Sequence, residues 1–484
     1  MRSRIYGGDL SGAREALHLC ITAKTAMFSV GPVVALAGSY AYALHAGVTF
    51  VTSAAEFFAA DVNTKIVCSV FGLSALSVLL GLVNALFGVD PLGRTLELFG
   101  KFSVQEGKRK INVNNWIDEY NDLNDDNKTT LEERNMSYTT LVNAYYELAT
   151  LFYEWGWGDS FHFCYQLVGE TFKTAIARHE YFLAGRLGVK AGDHVLDCGC
   201  GVGGPMRNIM RFTRTNVTGI TLNEYQVERG NQLNDRAGVL RDVNDKKKGM
   251  VPTGSALSMQ GNFMEMPFKD NSFDGVYAIE ATCHAPVREG VYSEIYRVLK
   301  PGQIFATYEW CLTPKYDGDN EYHRTIKKKI EEGDGLPDMA QQEECVQALR
   351  NVGFEIEEAR DMALDDRLGG DPWYLPLYPS WNPFTFRFQM SEFGKLITRN
   401  ILWVCEGLWL VPSGTYKVQE MLQQGGWGCA YGGHTGTFTP MWLMVARKPL
   451  DGDKPLMTEA PMKKASKAAK SVPRSRSRSR SRRR

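Results

Sequence analysis

Two long uncharged runs of mostly apolar residues occupy the N-terminal part of the chain, at 25–55 and 66–89. Each exceeds the roughly 20 residues that an apolar helix needs to cross the hydrocarbon core of a bilayer. Lys and Arg side chains flank the pair on its outer sides, and positive flanks favour the cytosolic side. The pattern predicts a transmembrane helical hairpin, with spans at about 27–50 and 66–88 and residues 1–24 in the cytosol. Two buried or interfacial helices of a soluble domain are the alternative.

Short apolar strands alternate with helices beyond a polar segment at 90–144, which we interpret as a linker. Strands are predicted at 195–197, 217–223, 273–280 and 304–309. This alternation is typical of a doubly wound, Rossmann-like α/β domain with a parallel sheet, which binds ligands at the carboxyl ends of its strands. We expect that domain to span residues 145–315.

The C-terminal third is rich in aromatic residues and ends in a basic tail. Residues 316–448 carry many Trp, Tyr, Phe and Pro residues, which suggests an α+β cap, because apolar cavities for large flat ligands are often lined by such side chains. The tail at 449–484 ends in alternating Ser and Arg and cannot fold alone. It is interpreted as a strap onto anionic lipid or a retention signal, in preference to a nucleic-acid or phosphorylation-controlled arm.

Composition narrows the class of protein. The chain has 484 residues, 44% of them hydrophobic, which is enough for two to four domains and excludes a disordered chain. Its 55 basic and 55 acidic residues balance, but the last residues, 463–484, are basic and contain no acid, so the remaining body is acidic. This charge pattern is not that of a nucleic-acid-binding domain, and we expect no nucleic-acid partner. The ten cysteines have no zinc spacing, and we expect no metal.

The most specific motif is a glycine-rich segment that follows the first strand of the predicted sheet. It contains Asp197, Gly199, Gly201, Gly203 and Gly204. Glycine is needed where the backbone takes positive φ or approaches a ligand closely. The acid-x-Gly-x-Gly pattern is that of S-adenosylmethionine-dependent methyltransferases, in which the carboxylate can face the ammonium group of the donor. An NAD-linked oxidoreductase is the alternative, but it would place an acidic residue after the second strand.

Two further segments lie where such methyltransferases contact the rest of the donor. Asn223 is the polar residue at the carboxyl end of the second predicted strand, where a ribose would lie, and Asn262 and Phe263 occupy the region that contacts the adenine. Many methyltransferases have an acid in place of Asn262, but a carboxamide oxygen can accept the same hydrogen bond.

Aromatic and acidic residues cluster in three more segments. They are Tyr-Glu-Trp-Gly-Trp-Gly-Asp-Ser-Phe-His at 153–162, Tyr-Ala-Ile-Glu-Ala-Thr-Cys-His-Ala-Pro at 277–286 and Tyr-Glu-Trp-Cys-Leu-Thr at 308–313. Together with the glycine-rich segment, they resemble the signature regions of sterol 24-C-methyltransferases. The resemblance extends from about residue 145 to 448 and covers nearly two thirds of the chain.

The resemblance implies transfer of a methyl group from S-adenosylmethionine to C-24 of a Δ24-sterol. In that family the side-chain alkene attacks the methyl group, and a carbocation, a hydride shift and loss of a proton follow. Tyr153, Trp155 and Trp157 are the rings that we expect to steady the cation; the family usually has Tyr at the position of Trp155. The base and the anchor of the sterol 3-hydroxyl are expected among the acids and histidines of these segments, which are Glu154, His162, Glu280 and His284.

Each of these residues also has a purely structural interpretation, because aromatic rings commonly pack a core and histidines cap helices or bind buried carbonyls. A methyltransferase of another unsaturated lipid, and a membrane scaffold with a degenerate methyltransferase fold, are the alternative functions. We further expect a sterol substrate, contact with membrane lipid, a homo-oligomer, and a location at the endoplasmic reticulum membrane with the catalytic domain in the cytosol.

Overall fold

The computed structural model describes residues 38, 40–43, 45, 59–71, 113–125, 128–241, 254–364, 370–382, 385–407, 411 and 413–450. The chain divides into two units, Met1–Lys101 and Phe102–Arg484. In the first unit, residues 62–71 are helical.

Most of the N-terminal and C-terminal predictions fall outside the described residues. The expected membrane spans at 27–50 and 66–88 lie largely outside them, as does the Ser/Arg tail from residue 451 onward. Among the helices that the structure describes, none combines the length and the apolar character that crossing a membrane requires.

Four helices lead into the central sheet of the second unit. They are α1 (Val113–Asn124), α2 (Leu131–Met136), α3 (Tyr138–Gly156) and α4 (Phe172–Arg186). The segment expected to be a linker is therefore helical from residue 113. Ile117 and Tyr120 of α1 are buried and pack against Leu141 and Tyr145 of α3. The segment is helical because its apolar residues recur at helical spacing and form one buried stripe. The many Asn and Asp residues between them make this spacing hard to recognise in the sequence.

Seven strands form the sheet, and helices separate most of them in the sequence. In chain order the elements are β1 (His194–Cys198), α5 (Gly204–Thr213), β2 (Asn216–Thr221), α6 (Glu224–Arg236), β3 (Ser255–Gln260), β4 (Gly275–Ile279), α7 (Arg288–Val298), β5 (Ile304–Leu312), α8 (Glu321–Asp334), α9 (Gln342–Val352), β6 (Glu355–Asp361), α10 (Glu392–Gly407), α11 (Thr415–Thr435) and β7 (Phe438–Arg447). Short 3-10 turns lie at Thr282–His284, Met362–Leu364, Leu375–Leu377 and Phe386–Met390.

The strand order is β3-β2-β1-β4-β5-β7-β6. The first five strands in that order are parallel, whereas β7 pairs antiparallel with both β5 and β6. The Rossmann-like α/β prediction is thus confirmed, but the sheet is mixed. The antiparallel strand belongs to the C-terminal segment, which returns to the sheet after α11.

The sheet is covered on both faces. Val195 of β1 packs into one apolar cluster with Leu183 of α4 and Ile209 of α5. Its neighbour Leu196 packs into a second cluster with Ile295 of α7. Successive side chains of a strand point to opposite faces, so β1 is buried on both sides, and its carboxyl end is the part that is free to meet a ligand.

Candidate active site

The glycine-rich loop connects β1 to α5 at the carboxyl edge of the sheet. Gly199 has φ +96°, and a Cβ atom there would lie 2.3 Å from Cβ of Ala281. A Cβ atom on Gly204, the first residue of α5, would lie 2.1 Å from the carbonyl oxygen of Asp159. Both positions therefore require glycine, because a side chain would collide with Cβ of Ala281 at the first position and with the backbone of Asp159 at the second. Gly201 and Gly203 lie between them, both with positive φ.

Asp197 lies one residue before the end of β1 and is 3% exposed. The hydroxyl group of Tyr277 donates a hydrogen bond of 2.9 Å to its Oδ2 atom. Burial raises the pKa of Asp197 to about 7. A cationic group placed nearby would favour the ionised carboxylate, but Asp197 is not among the residues that line the cavity above the loop, so its expected contact with the ammonium group of the donor stays a prediction.

A cavity of about 670 Å³ opens above this loop, and we call it the donor cavity. Its wall includes Gly199, Gly201, Thr221, Gln226 and Phe263. The Thr221 hydroxyl donates to Oε1 of Gln226 at 2.7 Å. Backbone surface from the glycine loop and a few polar groups thus face the same space, as a nucleoside-containing ligand requires.

Two of the predicted donor contacts are engaged within the protein. Asn223 caps α6, with its Oδ1 accepting from the amide of Gln226 at 2.9 Å, and its amide group donates to side chains of α3. The Oδ1 atom of Asn262 accepts hydrogen bonds from the Tyr138 hydroxyl and from the Met264 amide. Thr221 and Gln226, rather than Asn223, line the donor cavity.

A second, larger cavity lies beside the first, with an empty volume of about 1270 Å³, and we call it the acceptor cavity. This volume includes space that is open to solvent, so the lining rather than the volume indicates which class of ligand the cavity suits. Its lining is mainly aromatic and aliphatic. The lining residues include Tyr145, Tyr146, Tyr153, Trp157, Phe161, Phe163, Trp310, Leu336, Leu377 and Met390.

The end of α3 supplies two of these rings. The Tyr153 and Trp157 rings are 5.7 Å apart between centroids, and the Phe161 ring lies 5.3 Å from that of Tyr153. Residues four apart lie on the same side of a helix, which explains why Tyr153 and Trp157 reach the cavity together. Trp155 belongs to α3, but its side chain lies outside the described residues.

Glu154 points to another side of α3, and the sequence-based expectation for it must be corrected. It is buried, and its Oε1 atom accepts from Nε of Arg229 at 2.8 Å, while the Tyr225 hydroxyl donates to Oε2 at 3.3 Å. Successive residues of a helix are about 100° apart, so Glu154 faces α6 while its neighbour faces the cavity. It joins two helices by a buried ion pair and is not placed to act as a base or as a sterol anchor.

Glu280 lies where β4 ends and lines both cavities. Its φ angle of +52° turns the side chain toward the Phe163 amide, which donates to Oε1 at 2.7 Å. The indole nitrogen of Trp310 donates to Oε2 at 2.7 Å. Burial raises the pKa of Glu280 to about 8.

The two histidines differ in protonation. Nδ1 of His284 donates to the carbonyl of Gly335 at 3.0 Å, so Nε2 accepts from the Tyr146 hydroxyl at 2.9 Å. Burial lowers the pKa of His284 to about 4, which keeps the ring neutral. For His162, burial also opposes the charge, but the hydrogen bond and the charge of Glu180 raise its pKa above the usual value. His162 is therefore a proton donor to Glu180 and not a free base.

Asp334, which the sequence did not indicate, also lines the acceptor cavity. Its Oδ1 atom lies 3.4 Å from the hydroxyl groups of both Tyr145 and Tyr153, and the Cys429 thiol lies 3.8 Å from Oδ2. Burial raises its pKa to about 7. Asp334 is the last residue of α8, where an acid opposes the helix dipole. That unfavourable position was the available signal for a functional carboxylate.

Five residues line both cavities: Tyr146, Phe161, His162, Glu280 and His284. This shared wall places the donor cavity, above the glycine-rich loop, directly beside the acceptor cavity. Within the described part of the chain, no group of three or more His, Cys, Asp and Glu side chains is arranged to hold a metal ion.

The fold and the glycine loop define an S-adenosylmethionine-dependent methyltransferase, and a methyltransferase domain model matches residues 196–307. A model described as sterol methyltransferase C-terminal matches residues 385–450. The chain is 49% identical over 319 residues to cycloartenol-C-24-methyltransferase of Arabidopsis thaliana, which covers 66% of this chain and 90% of that protein.

Two fungal relatives give longer alignments. The sterol 24-C-methyltransferase of Saccharomyces cerevisiae is 42% identical over 377 residues, covering 76% of this chain and 94% of the relative. That of Aspergillus fumigatus is 43% identical over 370 residues, covering 74% and 94%. The chain belongs to the sterol 24-C-methyltransferase family.

Proposed function

We propose that this enzyme transfers the methyl group of S-adenosylmethionine to C-24 of a Δ24-sterol in sterol biosynthesis. The observation that carries the proposal is the wall shared by the two cavities. The donor, held over Gly199 and Gly201, supplies an electrophilic methyl group. A sterol in the acceptor cavity would present its side chain at that same wall, so the reacting atoms meet without water between them.

The rings of α3 and the loop after it act on the charge that methylation creates. Attack by the alkene leaves a carbocation on the neighbouring carbon of the sterol. Tyr153, Trp157 and Phe161 line the acceptor cavity, and each desolvated π-face is worth about 2 kcal/mol to a cation. Glu280 adds a carboxylate whose ionised form a nearby positive charge favours. Trp155 stays a predicted contributor from the same helix.

The final proton goes, in this proposal, to Asp334. Both oxygens of Glu280 already accept short hydrogen bonds, and His284 is held by partners on both ring nitrogens. The contacts of Asp334 are longer, between 3.4 and 3.8 Å, which leaves an acceptor lone pair for a proton from the sterol. After the hydride shift, loss of that proton gives the double bond of the product, and the carboxyl group carries the proton until solvent removes it.

The enzyme is also proposed to work at the endoplasmic reticulum membrane, with the catalytic unit in the cytosol and as a homo-oligomer. The support is the pair of uncharged runs at 25–55 and 66–89 with basic flanks, since sterols partition into membranes. Carbonate extraction of microsomes tests the membrane part: the intact chain should stay with the lipid, and its release would contradict an integral anchor.

The activity is tested with purified full-length chain, donor labelled with a trideuterated methyl group, and several Δ24-sterols. Mass spectrometry should find a sterol alkylated at C-24, and a methylene product should keep two of the three deuteriums. The Gly199→Ala variant is the matched control and should give no labelled sterol. Labelling of an unsaturated acyl chain instead of every sterol would overturn the proposed substrate class.

A further inference from the structure

Helix α10 has its apolar side turned outward. Six large apolar residues on it are each between 40% and 63% exposed: Phe393, Leu396, Ile397, Ile401, Trp403 and Val404. At 3.6 residues per turn they cover an arc of about 160°, within which Asn400 and Gly407 are the other residues of the helix. A surface helix of a soluble protein normally shows the opposite arrangement, with its polar face toward solvent.

Apart from Asn400, the polar residues of α10 face the protein or lie at the margin of this arc. The Thr398 hydroxyl donates to the Gly394 carbonyl at 3.0 Å, and Thr398 lines the acceptor cavity. The carboxylate of Glu406 accepts from the amides of Gly414 and Tyr416, at 3.0 and 2.7 Å. The Glu406 bonds reach residues outside α10 and help to fix the rotation of the helix, so the outward apolar face is built into the fold.

The same helix also forms part of the wall of the acceptor cavity. Gln389 and Met390 precede it and line that cavity together with Thr398. One side of α10 therefore contacts the space assigned to the sterol, and its other side is a continuous apolar surface. A contiguous exposed patch of this kind marks an interaction surface.

We propose that the outward face of α10 lies in the surface of a lipid bilayer and passes the sterol from the membrane into the acceptor cavity. This inference rests on the proposed function, since it takes the sterol as the substrate. Trp403 at one edge of the face suits the boundary between acyl chains and water. A helix that carries Phe, Leu, Ile and Trp on one face binds there in proportion to its buried apolar area. The adjoining cavity for a membrane-dissolved substrate favours the bilayer over a second copy of the chain.

The test compares two ways of supplying the sterol to the full-length enzyme. The variant is Leu396→Gln/Ile401→Gln/Trp403→Gln, and its matched control is Leu131→Gln/Val168→Gln/Phe212→Gln, which removes three exposed apolar side chains elsewhere. With sterol in phosphatidylcholine vesicles, kcat/KM of the α10 variant should fall at least tenfold. With the sterol carried by cyclodextrin, and for the control in both assays, kcat/KM should stay within about twofold of wild type. The tenfold figure assumes that the three substitutions in α10 remove most of the apolar contact between this helix and the lipid.

A second measurement reports contact with lipid directly. In vesicles of brominated phosphatidylcholine, the fluorescence component that Trp403→Phe removes should be quenched. Equal activity of the α10 variant with both sterol supplies, or an unquenched Trp403 component, would overturn the proposal. A change of oligomeric mass in the α10 variant without loss of vesicle-supplied activity would assign the face to a second copy. Absence of wild-type activity with either supply would instead count against the proposed function.

Discussion

Replacing Asp334 by Asn tests the carboxylate of the acceptor cavity while keeping the size of the side chain. Burial raises the pKa of Asp334 from 3.8 to about 7, so the folded protein binds a proton there more tightly than the unfolded chain. The stability that comes from this proton is fully present below pH 3.8, and it is lost as the pH rises to about 7. At 1.36 kcal/mol per pKa unit, the loss is about 4 kcal/mol.

Asn does not ionise, so it avoids this loss. At about pH 8, Asp334→Asn should raise the free energy of unfolding by up to about 4 kcal/mol relative to wild type, and at about pH 4 the two proteins should be nearly equal. Turnover should change in the opposite direction. Without a proton acceptor, kcat should fall by about 10²- to 10⁴-fold, the range for general acid–base catalysis, with the affinity for S-adenosylmethionine unchanged.

The assays are unfolding at both pH values in detergent, steady-state methyl transfer, and donor binding by calorimetry. Asp361→Asn is the matched control, because Asp361 of β6 is also a carboxyl whose pKa burial raises, but it bonds to Thr439 and does not line the acceptor cavity. It should keep full turnover. An Asp334→Asn enzyme with wild-type kcat would refute the assignment of the base, and one that is less stable at about pH 8 would refute the electrostatic argument.

Three further substitutions test other parts of the site. Glu154→Gln leaves the guanidinium of Arg229 buried without its anion and should lower the free energy of unfolding by about 3–5 kcal/mol. The specific activity of the folded enzyme should be unchanged. Chemical denaturation measures the free energy of unfolding, and a wild-type value would contradict the ion pair. Gly199→Ala places a Cβ atom 2.3 Å from that of Ala281 and should abolish donor binding in calorimetry while circular dichroism stays native. Tyr153→Leu removes one π-face and should lower kcat about 30-fold, equivalent to about 2 kcal/mol, so an unchanged kcat would count against cation stabilisation by this ring.

Features that depend on local sequence could be predicted. The strand before Asp197 and the glycines after it are adjacent in the chain, so their spacing indicates a ligand loop directly, and the family resemblance adds the methyl-transfer chemistry. The direction of Glu154 could not be read in this way. It depends on α3 being helical and on Arg229, which is distant in sequence, approaching from α6.

Long-range packing also explains the other differences. Asp334 enters the cavity because α8 ends beside the tyrosines of α3, a contact between segments far apart in the chain. The orientation of β7 depends on the strands with which it pairs. Its apolar sequence alone therefore does not reveal that it is antiparallel. The helix α1 is difficult to predict because most of its residues are polar. Ile117 and Tyr120 make most of its buried apolar contacts.

The central claim is that donor and sterol meet at the wall formed by Tyr146, Phe161, His162, Glu280 and His284. A structure of the full-length enzyme with S-adenosylhomocysteine and a Δ24-sterol tests it most directly. The sulfur atom is expected above the loop at Gly199 and C-24 at this wall, within about 3–3.5 Å of the position of the transferred methyl group. A sterol bound with its side chain away from this wall, or outside the acceptor cavity, would contradict this claim.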